Sequence, residues 1–280
     1  MTPIVKIENA RGEILNLSAD ARYLPILTGT GPPDATINRA KASTADGTQY
    51  NSGTVGERNL LLTVYLQKDF AQARLNLYRW LATKQPLRVY YTADGLDVYA
   101  DGYIETVEVN PWQQNQFVAA SIICPRPYWR EMTDTYTDAS NVEALFELPF
   151  ETDDTGIELS TVSTETSTVI KNTGTVEAGV TFVLTATTRS FQPKIYNLTS
   201  GQFMGFLVDM QPGDQLEICT CTGGKHVTLI RDGVRTNYIN TMMEGSSWLQ
   251  MAIGANEFSY TVDEGECTLG IYYTNEYIGV

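Results

Sequence analysis

The sequence predicts a mainly β protein of two domains, an N-terminal β-sandwich-like domain carrying one amphipathic helix and a C-terminal β-sandwich or jelly roll. Three observations predict it. Short runs rich in Val, Ile, Tyr and Thr alternate with turn residues along most of the chain. A helical apolar period occurs in one segment only. At 280 residues the chain has the length of two ordinary domains. Hydrophobic residues make up 42% and charged ones 19%, the composition of a folded globular protein.

In chain order, strands are expected at Ile4–Glu8, Glu13–Leu17, Leu60–Leu66, Leu87–Tyr91 and Phe117–Cys124. Between the third and fourth, Asp69 suits an N-cap. Apolar residues then recur at Phe70, Ala73, Leu77, Trp80 and Leu81, and the pattern stops before Pro86. One helix packed on a sheet follows. Around residues 125–150 the pattern lapses into Pro125-Arg126-Pro127-Tyr128-Trp129 and a polar, acidic stretch, which sets a domain boundary near residue 133 and domains of 1–133 and 134–280. Beyond it, turns recur at Asn172-Thr173-Gly174, Thr199-Ser200-Gly201 and Pro212-Gly213-Asp214 with no helical period. Gly223-Gly224 and Asp232-Gly233 each fit a two-residue hairpin loop. The implied register pairs Ile218 with Leu229 and Thr220 with Val227, and sets His226 opposite Cys221.

The net charge of −14 is uneven: residues 1–130 hold 13 Lys and Arg against 12 Asp and Glu, whereas residues 131–280 hold 6 against 21. An acidic second half repels phosphate backbones and anionic lipid, so neither nucleic acid nor membrane is an expected partner for it. The first residues lack the basic stretch and apolar run of a signal peptide, and no apolar segment reaches the ~20 residues of a membrane span, so a cytosolic site of synthesis is expected. In a reducing compartment Cys124, Cys219, Cys221 and Cys267 are expected as free thiols.

Catalytic constellations are hard to build from these residues. His226 is the one histidine, so any Ser-His-Asp or Cys-His set must pass through it. With Cys219 and Cys221 it could form a three-ligand metal cluster, but no fourth ligand stands out and Cys-x-Cys is not a usual zinc spacing; a strand histidine beside small buried thiols is favoured. Asp154-Thr155-Gly156 matches an aspartic-protease triplet but occurs once and is flanked by the polar Glu151-Thr152-Asp153, which favours a surface turn. Gly29-Thr30-Gly31-Pro32-Pro33-Asp34 starts like a dinucleotide loop, yet its prolines remove backbone donors. No carboxylate pair singles itself out for glycoside cleavage. No enzyme activity, cofactor or metal is expected. The 16 Tyr and 4 Trp suit core packing and subunit interfaces better than sugar platforms.

An ordered series of short motifs carries a resemblance. Leu27-Thr28-Gly29 leads to Gly31-Pro32-Pro33, then Ala35-Thr36-Ile37-Asn38, Asp46-Gly47, Tyr50-Asn51-Ser52 and Arg58-Asn59. After the helix with Leu77-Tyr78 come Gly102-Tyr103-Ile104-Glu105 and Ile123-Cys124-Pro125-Arg126-Pro127-Tyr128-Trp129. Over residues 1–130 this order resembles the N-terminal domain of siphophage distal tail proteins. The second half is similar through its β pattern and its ending, Tyr277-Ile278-Gly279-Val280.

The resemblance implies a galectin-like second domain and a homo-oligomeric, hexameric ring. That ring would lie between the tail tube protein and a tail-tip hub protein and would hold a receptor-binding protein. The protein would be a virion component assembled in the bacterial host cytoplasm. Tyr50, Asn51, Arg58, Asn59, Tyr128 and Trp129 are the expected ring or partner interface, and the near-neutral first half suits repeated self-contact. The alternative is a glycan-binding module contacting the host surface, although His226 and Trp248 lack the polar surroundings of a galectin sugar site.

Overall fold

The computed structural model describes residues 3–41, 46–112, 114–139, 142–144, 160–162 and 167–280; Asp154-Thr155-Gly156 lies outside them. The chain divides into two compact units, residues 1–132 with Glu276–Val280, and Thr133–Asn275. Both are β-rich and antiparallel, and the first carries the one α-helix among the described residues.

In the first unit the two-residue period of the sequence becomes a two-faced sheet. Its elements are β1 (Ile4–Asn9), β2 (Ile14–Asn16), β3 (Tyr23–Thr28), β4 (Ala35–Lys41), β5 (Thr48–Val55), β6 (Arg58–Leu66), α1 (Phe70–Trp80), β7 (Pro86–Ala93), β8 (Leu96–Asn110), β9 (Phe117–Cys124) and β10 (Trp129–Glu131). The main path runs β2-β1-β7-β8-β9-β6-β3. Along β6, Leu60, Leu62, Val64 and Leu66 are buried while Asn59 and Leu61 face out. Ala73 and Leu77 on α1, with Leu81 just beyond it, join the same core. The Tyr23 hydroxyl donates to the Ala73 carbonyl at 3.2 Å and accepts from Asn76 Nδ2 at 3.0 Å, tying the helix to β3. Pro25 sits in β3, an edge strand, the place in a sheet that tolerates a missing donor.

Two expectations need correction here. Asp69 does precede the helix, but it takes a left-handed conformation (φ 50°, ψ 45°) and its side chain makes no capping bond; its carbonyl instead accepts from Ala73 N–H. The second domain also does not run to residue 280. Glu276–Tyr277 pairs antiparallel with β10, Trp129 against Tyr277 and Arg130 against Glu276, so the last five residues belong to the first unit.

The second unit is a sandwich. Its strands are β11 (Thr135–Asp138), β12 (Val142–Ala144), β13 (Ser160–Val162), β14 (Ser167–Asn172), β15 (Ala178–Ala186), β16 (Ser190–Phe191), β17 (Lys194–Asn197), β18 (Gln202–Gly205), β19 (Asp209–Met210), β20 (Gln215–Cys219), β21 (His226–Arg231), β22 (Val234–Asn237), β23 (Gln250–Met251), β24 (Gly254–Thr261) and β25 (Cys267–Tyr273). One sheet runs β11-β25-β15-β20-β21-β22, with β23 also on β15; the other runs β14-β24-β17-β18. Phe182 of the first and Phe258 of the second meet edge-on, ring centroids 5.3 Å apart, in one apolar core.

The hairpin at Asp232-Gly233 forms with both residues at positive φ (50° and 76°), as a type I′ turn requires, and pairs Arg231 with Val234. The hairpin before it is centred one residue earlier than expected. Only Gly223 of the glycine pair has positive φ, and Gly224 N–H donates to the Cys221 carbonyl at 3.0 Å, making Thr222-Gly223 the turn centre. The register therefore slips by two: Ile218 pairs with Val227, Leu216 with Leu229, and Cys219 rather than Cys221 with His226.

Candidate functional site

Arg58 opens β6 and is only 1% exposed. Five N–H donors in a planar fork can serve several acceptors at once, and here the acceptors are all backbone. Nε donates to Pro127 O at 2.6 Å, Nη1 to Gly29 O at 2.7 Å and Gly31 O at 2.6 Å, and Nη2 to Ile278 O at 2.6 Å. The guanidinium also lies over the Trp129 ring, 5.5 Å from its centroid. Trp129 is fully buried and donates from Nε1 to Thr30 O at 3.2 Å. Val280 N–H donates to the same carbonyl at 3.0 Å. Burial pulls the Arg58 pKa below its ordinary value, with the nearby Cys124 acting weakly against it.

This cage is where the scattered motifs converge. Gly29 must be glycine there: its φ is +80°, and a Cβ would lie 2.2 Å from Asn59 O. Arg58 and Trp129 therefore do not face a partner, which corrects the interface expectation for both. They fasten the 29–31 loop, the 127–129 turn and the C-terminus together inside the domain. A buried guanidinium satisfied only by carbonyls leaves no acidic partner in the sequence to reveal it.

The remaining interface candidates are spread out. Tyr50 and Asn51 lie on β5, which pairs with β4 as a separate two-stranded arm in which every described residue is exposed. Tyr50 is 64% exposed and Ile37, on the facing strand, 53%. Asn51 falls at a bulge, since Asn38 pairs with Ser52 and Arg39 with Tyr50. Asn38 Nδ2 donates to Ser52 Oγ at 3.0 Å across the arm. Asn59 is exposed on the outer face of the main sheet and accepts from Ser121 Oγ at 3.0 Å. Tyr128 is half-buried.

Sequence reasoning missed the apolar ground next to Asn59. Leu24 and Ile26 on edge strand β3 and Leu61 on β6 are exposed, and the register (Leu24 opposite Tyr65, Ile26 opposite Thr63, Thr28 opposite Leu61) puts them on one face. Their outward positions in otherwise amphipathic strands were the available signal.

In the second unit His226 has both ring nitrogens engaged, Nδ1 with Gly224 O at 2.7 Å and Nε2 with Glu217 Oε1 at 3.0 Å. Glu217, then the Gly224 carbonyl, raise its pKa above the ordinary value. Among the described residues no group of three metal-ligating side chains comes together. No described helix is long and apolar enough to cross a membrane.

Comparison with known proteins places this architecture. Residues 173–277 match the family model described as the siphovirus-type tail component, C-terminal domain. No curated protein sequence matched the chain. Among solved structures, the SPP1 Dit protein, described as a paradigm of the hub adsorption apparatus in phages infecting Gram-positive bacteria, aligns with a TM-score of 0.68 at 13% identity, covering 97% of this chain and 98% of its own. The phage P2 baseplate in its activated conformation, solved with calcium and with strontium, contains a chain that aligns at a TM-score of 0.56 and 10% identity over 100% of both chains. The second unit is thus similar over residues 173–277 to a siphovirus-type tail component domain, and the chain as a whole shares the fold of the SPP1 Dit protein.

Proposed function

We propose that this protein is a scaffold of the phage tail tip that assembles head to tail through its first unit into a closed ring, six-fold as the family resemblance implies. The observation that carries the reading is the β4–β5 arm. A two-stranded ribbon with no packed face is marginal by itself in water, and Ile37 and Tyr50 gain a covered surface only against another chain. The exposed Leu24, Ile26 and Leu61 beside the open edge of β3 offer such a surface elsewhere on the same unit. Two different patches that complement each other across copies give a heterologous contact, and heterologous contacts generate rings when the rotation closes.

In this reading the ring joins the tail tube protein to a tail-tip hub and carries a receptor-binding protein, as the resemblance of its motifs implies; the hub and baseplate descriptions of its structural relatives support only the coarser place in a phage tail. The cage then serves the interface indirectly, because Gly29 and Gly31 lie just before the arm and their carbonyls are fixed by Arg58. The role is structural rather than enzymatic.

Light-scattering mass across concentration tests this. A species at six times the protomer's 31.1 kDa, lost when residues 36–54 are replaced by a short Gly-Ser turn, supports the proposal. An arm-shortened chain that assembles as well as the parent refutes it.

A further inference from the structure

The β4–β5 arm has two unlike faces. Residues opposed across a ribbon share a face, so Ile37 with Gly53, Arg39 with Tyr50 and Lys41 with Thr48 lie on one side. The space over Gly53 agrees: a Cβ there would meet the Tyr50 hydroxyl at 3.1 Å and Ile37 Cδ1 at 3.3 Å. That side carries an apolar patch, Ile37 and Tyr50, followed toward the tip by the cations Arg39 and Lys41. The other side, Thr36, Asn38 and Ala40 against Thr54, Ser52 and Gln49, has no charge. Arg39 and Lys41 are exposed, and among the described residues neither has an ion pair.

The outer face of the main sheet holds the opposite charges in matching order. From β3 across β6 and β9 to β8, the register sets Thr28, Leu61, Ser121 and Thr106 in one row and Ile26, Thr63, Ala119 and Glu108 in the next. Apolar side chains thus stand on β3 and β6, and a carboxylate on β8. Glu105 joins it, because it falls at the β8 bulge beside Thr106 and accepts from Ser121 Oγ on the outer face at 3.4 Å. Both carboxylates are exposed, and among the described residues neither is in an ion pair. Arg88 and Arg130, farther along this face, are both committed to Asp101.

The spacings agree. Ile37 to Lys41 is four residues of strand, about 14 Å, and β3 to β8 is three strand spacings, also about 14 Å. An arm laid across the strands with Ile37 over β3 and β6 therefore sets Arg39 and Lys41 over β9 and β8. Ile37 and Tyr50 are exposed, so the arm does not dock on its own sheet; a second copy offers the same complementary face.

We propose that Arg39 and Lys41 of the arm pair with Glu105 and Glu108 of the next copy, fixing the register of the arm on the sheet and making assembly sensitive to salt. This pairing presupposes the arm-to-sheet contact of the ring reading and extends it across β9 to the acidic strand. A reversed arm would set both cations on Leu24 and Ile26 and leave them without partners, so the charges select one orientation.

The test is charge exchange in the full chain, read by sedimentation equilibrium beside thermal melts. Arg39→Glu with Lys41→Glu, and separately Glu105→Lys with Glu108→Lys, are each expected to melt like wild type and to weaken self-association about tenfold or more, since like charges then face each other. Mixed in equal amounts, the two variants are expected to assemble again, because every arm then meets a face of opposite sign. A chain bearing all four substitutions is expected to assemble alone. Wild-type association is expected to weaken about fivefold or more between roughly 0.05 M and 0.5 M salt. Reversed variants that assemble as well as wild type, a mixture that does not recover, or association indifferent to salt overturns the pairing. Shortening the arm separates the two claims. If the shortened chain fails to assemble, those results remove the ion pairs and leave the ring contact standing; if it assembles like wild type, or wild type stays a single protomer, both fall.

Discussion

Replacing Arg58 with Met removes the guanidinium that four carbonyls share while keeping much of its apolar stem. Four bonds of 2.6 to 2.7 Å to a charged donor are lost, each of a kind that contributes about 1.5–3 kcal/mol. That sum overstates the effect, because wild type also bears the cost of desolvating the cation, several kcal/mol. Leaving a buried carbonyl without a donor costs about 1–3 kcal/mol, and with four affected and the desolvation cost relieved a net loss of about 3–5 kcal/mol is expected for the first unit, a large part of the ~5–15 kcal/mol that keeps a domain folded. Arg58→Lys recovers only part of it, since three donors on one nitrogen cannot span the fork. Urea unfolding followed by near-UV circular dichroism reads the change. Deleting residues 276–280 removes the Ile278 acceptor, so this deletion is expected to cost less in the Met variant than in wild type, a coupling of about 0.5–3 kcal/mol. A loss under about 1 kcal/mol for Arg58→Met, or strict additivity with the deletion, would refute the cage as the element that holds the C-terminus.

Further outcomes follow from the same geometry. Gly29→Ala is expected to destabilise the first unit by more than 1 kcal/mol, since positive φ and the approach to Asn59 O both oppose a Cβ; a melting temperature equal to wild type contradicts this. Tyr50→Ala and Ile37→Ser are each expected to weaken self-association about tenfold or more without lowering protomer stability, read by sedimentation equilibrium beside thermal melts. Arg231 holds Asp214 below its ordinary 3.8, helped by Gln211 N–H. A carboxylate with a depressed folded pKa contributes stability that is present above that ordinary value and lost as pH falls through the folded one, so Asp214→Asn is expected to flatten the acid limb below about pH 4. An acid limb unchanged by the substitution would remove Asp214 from that role.

The sheets were legible wherever side chains alternate between water and core. β9 occupies the predicted Phe117–Cys124, and α1 follows the spacing of Ala73 and Leu77. The type I′ turn at Asp232-Gly233 was legible because both residues tolerate positive φ, whereas Gly223-Gly224 allowed two centrings and the register slipped by two residues. The arm escaped strand assignment because both its faces meet solvent: Ala35 and Ile37 alternate with Thr36 and Asn38, but the run is short and weakly apolar and buries neither face. The cage was illegible for another reason: its acceptors are backbone carbonyls, which any residue supplies, and they come from segments as far apart as Gly29 and Ile278. Arg58 thus looked like a free interface cation, and the C-terminal strand like the end of the second domain.

Ring closure depends most directly on the arm of one copy seating on the β3–β6 face of the next. Chains carrying Tyr50→Cys in one population and Leu61→Cys in another, in a background with Cys219 and Cys221 replaced by Ser, can be mixed under assembly conditions and treated with a short bismaleimide. Crosslinks are expected between the two populations and not within either one. Efficient Tyr50-to-Tyr50 crosslinks, which mark a two-fold contact, or an assembled ring with no Tyr50-to-Leu61 product, would contradict it.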